Sequence, residues 1–187
     1  MFKKVAPKPE NIHLGEGILI KNFDPRDLEK PESTRLGVTR GGGTWNLEFT
    51  NRSSRFDGDR GEDTKGLKSR IESKITITAN MLELDYESMQ IYTPSKLTES
   101  TSNMPPTPAF KMVRPKVDFE EEDYFDNLAY VTRTKSGKLV AYVIENVLAD
   151  GSLSAAMNDK DDIVPEITFT AHWEDLDVVP AYVVYYE

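Results

Sequence analysis

Trp45, Leu47 and Phe49 stand at alternate positions. That period of two puts three large apolar groups on one face of an extended strand, which no helix can do. The pattern returns at Ile75, Ile77 and Ala79, with Thr76 and Thr78 on the opposite face. It returns again in Leu128 to Thr134, the turn Lys135-Ser136-Gly137-Lys138, and Leu139 to Val147, which together read as a hairpin. Gly17 to Phe23 reads as a first strand, ended at Asp24-Pro25-Arg26-Asp27 because proline cannot continue a ladder. Val164 to Trp173 and Val178 to Tyr186 read as the last strands. The triple glycine Gly41-Gly42-Gly43 fits a sharp bend or bulge just before Trp45. About seven short strands and one or two small flanking helices predict a mainly β protein, an antiparallel β-sandwich or split barrel.

The remaining segments organise that domain. Residues 1–16 begin Lys/Pro-rich and without periodicity, and read as an N-terminal arm; residues 17–187 form a single domain. Residues 51–70 carry three glycines among alternating charges and predict a long polar loop or a poorly buried hairpin. Asp85 to Tyr92 holds no breaker and ends at Thr93-Pro94, so a short helix is expected there. Residues 93–116 hold five of the 11 prolines and read as a connection with little regular structure. Residues 152–159 read as a short helical turn.

At 187 residues the chain can bury a core without a metal or disulfide staple. It has no cysteine, which excludes disulfides, thiol nucleophiles and cysteine-based zinc sites. No apolar stretch approaches the roughly 18 residues of a membrane span, and the first residues do not read as a signal peptide. The formal net charge is −9, which argues against a binder held by phosphate contacts. That charge is uneven: residues 1–115 carry +2 and residues 116–187 carry −11. Such a division suits a protein that meets its partners in a fixed orientation, or serves solubility.

Catalytic and ligand motifs are weak throughout. Gly61-Glu62-Asp63-Thr64-Lys65-Gly66 resembles the front of a phosphate loop, but Leu67 stands where the lysine should follow. Asp159-Lys160-Asp161-Asp162 lacks the spacing, glycine and bidentate glutamate of a calcium loop. His172, between Ala171 and Trp173, reads as a structural histidine, with no serine in a nucleophile elbow for it to activate. The aromatics Trp45, Phe49, Tyr130, Tyr142, Tyr185 and Tyr186 read as core, not as a base-stacking platform. The expectation is a protein without enzymatic activity, catalytic residues, cofactor or metal.

Two stretches carry a resemblance. Leu36-Gly37-Val38-Thr39-Arg40-Gly41-Gly42-Gly43-Thr44-Trp45 is followed by Asp57-Gly58, Gly61, Lys65-Gly66 and Ile75-Thr76-Ile77-Thr78. Asp150-Gly151-Ser152-Leu153 is followed by Asp159-Lys160-Asp161, Val164 to Trp173, and Pro180 to Tyr185. In order and spacing these resemble the two halves of bacteriophage or prophage tail tube proteins. The resemblance implies a β-sandwich or split barrel whose copies form rings, usually hexameric, that stack into a tail tube for genome ejection. It implies a long loop, here about Asn51 to Lys68, that reaches the neighbouring ring, and terminal arms in the same contacts. The implied partners are copies of the chain and other tail proteins such as tape measure, baseplate and terminator. Genomic DNA would cross the lumen without specific binding, and no membrane is involved. The implied location is the virion tail, assembled in the host cytoplasm.

A conduit for a dense polyanion should not grip phosphates, so an acidic balance agrees with that implication. Head-to-tail contacts need two unlike surfaces. The loop with Arg52, Arg55, Arg60, Lys65 and Lys68, and the acidic region with Glu120, Glu121 and Glu122, are the candidates for inter-ring contact. The alternatives are another tail component of the same fold, a tail terminator or baseplate ring protein, or a monomeric β-barrel for a small ligand. A hydrolase ranks below these.

Overall fold

The computed structural model describes residues 7–27, 35–61, 63–100 and 109–187. Among them run ten strands and one α-helix: β1 (His13–Lys21), β2 (Arg35–Ser53), β3 (Lys68–Met81), α1 (Tyr86–Tyr92), β4 (Ser95–Ser100), β5 (Phe110–Pro115), β6 (Phe125–Thr134), β7 (Leu139–Leu148), β8 (Leu153–Ala155), β9 (Pro165–Ala171) and β10 (Ala181–Tyr185). Single 3-10 turns cover Pro9–Asn11 and Glu121–Asp123. The fold is the mainly antiparallel β architecture that the alternation predicts.

Eight strands form one sheet in the order β10-β7-β6-β1-β2-β3-β9-β8, and β7 also pairs with β9. That last pairing closes β7, β6, β1, β2, β3 and β9 into a barrel with a split along β7. The first part of β7, Val140 to Ile144, holds β10 on its free edge, while Val147 and Leu148 hold Ala171 and Thr170 of β9. Between them, Asn146 has a φ of 49°, in the left-handed region that asparagine tolerates better than most residues. Its carbonyl accepts the His172 N–H at 3.0 Å and its side-chain amide donates to the His172 carbonyl at 3.3 Å. This one kinked residue hands the edge of β7 from β10 to β9. Asn146→Val should therefore destabilise the fold by about 2–3 kcal/mol, combining a left-handed β-branched residue with a lost hydrogen bond. Asn146→Gly, which keeps the conformation, should lose only about 1 kcal/mol. Urea unfolding of the two variants separates backbone from side chain.

The barrel interior is filled by Leu19, Ile75, Ile77, Met81, Leu128, Ile144 and Phe169, all buried. A second cluster, Phe23, Ala129, Val131, Ala141 and Val143, sits on the other face of β6 and β7 under Tyr182 and Tyr186. These two central strands are thus buried on both sides, which explains why they read as nearly continuous apolar runs. The expected bulge at the triple glycine is present, as a register shift between the pairs Thr39↔Met81 and Gly43↔Ala79. A Cβ on Gly43 would lie 2.8 Å from the Thr78 carbonyl oxygen, so β2 can pass β3 there only without a side chain.

The predicted helix forms with Asp85 as its N-cap, the carboxylate accepting the Ser88 N–H at 2.6 Å. Tyr92 at its end is buried, and its hydroxyl donates to the Leu36 carbonyl at 2.8 Å, tying α1 to the barrel. The backbone and side-chain bonds from Ser88 hold the Asp85 carboxyl below its ordinary value of 3.8. A depressed carboxyl stabilises above its unfolded pKa and ceases to do so as pH falls through the folded one. Asp85→Ala should accordingly cost about 1 kcal/mol at pH 7, a difference that narrows as pH falls below 3.8 and towards the lowered folded value. Thermal melts at pH 7 and at pH 3 check it.

Three expectations need correction. Residues 93–116 are not an irregular connection: Ser95–Ser100 and Phe110–Pro115 pair in register as a two-stranded sheet of their own. Pro94 precedes this hairpin and Pro115 ends it, so both prolines sit where no ladder bond is lost; Pro105, Pro106 and Pro108 lie outside the described residues. Residues 153–155 of the expected helical turn form β8, a short edge strand on β9. The first strand begins at His13, inside the segment read as an arm, because His13 already pairs with Thr134. Residues 1–6 of that arm lie outside the described residues.

Candidate functional site

β2 and β3 run well past the barrel. β1 pairs with β2 only from Arg35 to Val38, and β9 pairs with β3 only from Thr76 to Asn80. From Leu47 to Ser53 and from Lys68 to Ile75, the two strands pair with each other alone among the described residues. At about 3.4 Å per residue this ribbon, hereafter the arm, reaches roughly 24 Å, with residues 54–61 and 63–67 at its tip. An isolated two-stranded ribbon is marginal in water. This one is held locally by the Arg70 guanidinium stacked 3.5 Å above the Phe49 ring, and it bulges between Thr50 and Asn51.

The tip folds on its own polar groups. Ser54 N–H donates to the Leu67 carbonyl, and Asp59 and Leu67 N–H groups close turns onto Phe56 and Thr64. Arg55 pairs with Asp59 at 3.3 Å and Lys68 with Asp63 at 3.0 Å. Bonds from Ser53 and Lys68 lower the Asp63 pKa. Of the five basic candidates, then, Arg55 and Lys68 are neutralised within the arm, while Arg52, Arg60 and Lys65 point to solvent without an ion pair among the described residues. Glu62, between them, lies outside the described residues.

The acidic candidates are likewise divided. Lys116 bonds both Glu120 and Asp123, and the Asp123 carboxylate accepts the Glu120 N–H at 2.9 Å. Glu120 is thus part of a local clamp, whereas Glu121 and Glu122 are exposed. The single chain does not bring the arm and this acidic turn together.

At the root of the arm lies a cleft of about 460 Å³ lined by Arg70, Ile71, Glu72, Ser73, Trp173 and Leu176. Ile71 and Leu176 are 55% and 85% exposed there, an apolar surface that a lone chain leaves in water. Sequence reasoning missed this loop between β9 and β10. The available signal was one leucine set among Glu174, Asp175 and Asp177, which no turn requires. His172 is held on both sides: its Nδ1 lies 3.2 Å from the Asn146 carbonyl and its ring meets Tyr124 edge-on at 5.2 Å. Among the described residues no three histidine or carboxylate groups gather to hold a metal ion.

No family model matches the chain, and no curated protein matches it. Among solved structures it is similar to the anti-feeding prophage cap, a tube terminating cap determined by cryo-electron microscopy. The TM-score is 0.54 at 11% identity, over 98% of this chain and 97% of that one. At that identity the likeness concerns the fold, and it extends over nearly the full length of both chains.

Proposed function

We propose that the protein is a non-enzymatic structural subunit of a phage-type tail, whose copies assemble into rings that stack as a tube. The observation that carries this reading is the arm. The outer part of the ribbon, Thr50 to Arg52 and Lys68 to Glu72, is exposed and stays ordered poorly alone, and a neighbouring copy supplies the missing surface. The apolar cleft at its root is a second surface that such a neighbour covers. The likeness to a tube terminating cap over almost the whole chain supports the same reading. So does the net charge of −9, which lets DNA pass a lumen without being held. Ring order is six by the family resemblance, and the partners are further copies and other tail proteins. The assembled product belongs in the virion tail, built in the host cytoplasm.

The second reading is a tail terminator, which the described role of the similar structure favours. The reading as a small-ligand barrel gains nothing from the interior, which side chains occupy. Negative-stain microscopy of the concentrated protein decides between them. Stacked rings or filaments support a tube subunit, and single rings that do not grow support a terminator. A protein that stays monomeric at every concentration sinks both.

A further inference from the structure

The two-stranded sheet of β4 and β5 packs one face on α1, where the Lys111 Nζ sits 3.7 Å above the Tyr86 ring. Strand alternation turns Lys96, Thr98, Phe110, Met112 and Arg114 to the opposite face, and all five are exposed. Lys96 stands directly across from Arg114, a like-charge pair that costs stability in an isolated sheet. Neither side chain has an ion-pair partner among the described residues. Beside them Phe110 and Met112 are 48% and 38% exposed. This face is apolar at its centre, carries two positive charges, and nothing described covers it.

The loop between β9 and β10 has the opposite character. Glu174, Asp175, Leu176, Asp177 and Val178 are all exposed, giving three negative charges and no positive one. Its shape is fixed locally: the Asp177 N–H donates to the Asp175 carboxylate at 2.9 Å and the Val178 N–H to the Asp175 carbonyl at 3.2 Å. That turn presents Leu176 between acidic neighbours, an apolar knob with a negative rim.

We infer that the outer face of β4 and β5 receives the β9–β10 loop of a second copy of this chain. Leu176 packs against Phe110 and Met112, and Glu174 and Asp177 face Lys96 and Arg114. An apolar centre within a rim of opposite charges is the arrangement that gives an interface both anchoring and register. The two patches differ and lie on the same chain, so the contact is heterologous and repeats from copy to copy until a ring closes. The inference rests on the assembly reading for its partner, and it names what meets Leu176 beside the root of the β2–β3 arm.

Two charge-reversed chains test it. One carries Lys96→Glu and Arg114→Glu; the other carries Glu174→Lys and Asp177→Lys, with Asp175 kept because it holds the turn. Each alone should associate at least tenfold more weakly than the parent chain in sedimentation velocity. Mixed in equal amounts, they should regain the parent's assembly, since every reversed face then meets a reversed loop and every native face a native loop. Recovery also shows that both variants are folded. Assembly of either variant at the parent's concentration, or failure of the mixture to recover, overturns this contact and leaves the assembly reading standing. A parent chain that never assembles overturns both.

Discussion

Replacing residues 49–73 by an Asn-Gly turn is expected to leave the barrel folded and to keep the protein monomeric where the full chain assembles. Glu48 and Lys74 face each other across the ribbon, so a two-residue turn of the type that matches strand twist can join them. None of the residues that fill the barrel lies between positions 49 and 73. The melting temperature should therefore move by only a few degrees, since 1 kcal/mol shifts a domain of this size by about 2–4 °C. Association, by contrast, should weaken by about a hundredfold or more, near 2.8 kcal/mol. Mass photometry across a dilution series, run beside thermal melts, reads both quantities. A shortened chain that assembles like the parent removes the arm from the interface. A shortened chain that unfolds instead makes the arm part of the barrel's own stability.

The sequence's alternation located most of the barrel, and its failures have definite physical causes. β6 and β7 were legible because Leu128 to Thr134 and Leu139 to Val147 flank a four-residue turn containing Gly137, whose φ is 92°. α1 was legible through Asp85, the right kind of cap ahead of a breaker-free run. β4 and β5 were hidden by composition, since a proline count does not distinguish prolines inside a ladder from those flanking it. Leu97 and Val113 do alternate with exposed residues there, opposite each other in register, and that weak period was the available signal. Closure of the barrel could not be read at all. It depends on the pairing of Val147 with Ala171 and on the left-handed conformation of Asn146, a long-range contact and a single dihedral angle.

The candidate site was legible to a similar depth. The charges and three glycines of residues 51–70 marked a long polar loop or poorly buried hairpin, and its reach towards a neighbour came from the family resemblance. Which of its charges remain free is a matter of internal pairing, and Arg55 with Asp59 and Lys68 with Asp63 emerge only once the tip is folded. Ile71 was invisible for a related reason, since an apolar residue in a strand carries no sign of whether the fold covers it, and Leu176 was marked only by its acidic neighbours.

Phe169→Ala is the substitution expected to damage the barrel most. Phe169 is fully buried in the middle of β9, opposite Ile77 of β3, with its ring 6.3 Å from that of Phe125 on β6. It therefore spans the interior between strands far apart in the chain. Truncation to alanine leaves a cavity that rigid neighbouring strands cannot collapse into, at a cost of about 3–5 kcal/mol. That is a large share of the 5–15 kcal/mol that stabilises a typical domain. Phe169→Leu keeps much of the volume and should lose roughly half as much. In urea unfolding the midpoint should fall in the order parent, F169L, F169A while the slope stays constant, because the same surface is exposed each time. A reduced slope for F169A has a different meaning. Phe169 lies two residues before Ala171, whose pairing with Val147 closes the barrel. A shallower transition then reports that the seam between β7 and β9 has opened in the folded state. An F169A midpoint equal to the parent's contradicts the placement of this ring at the centre of the core.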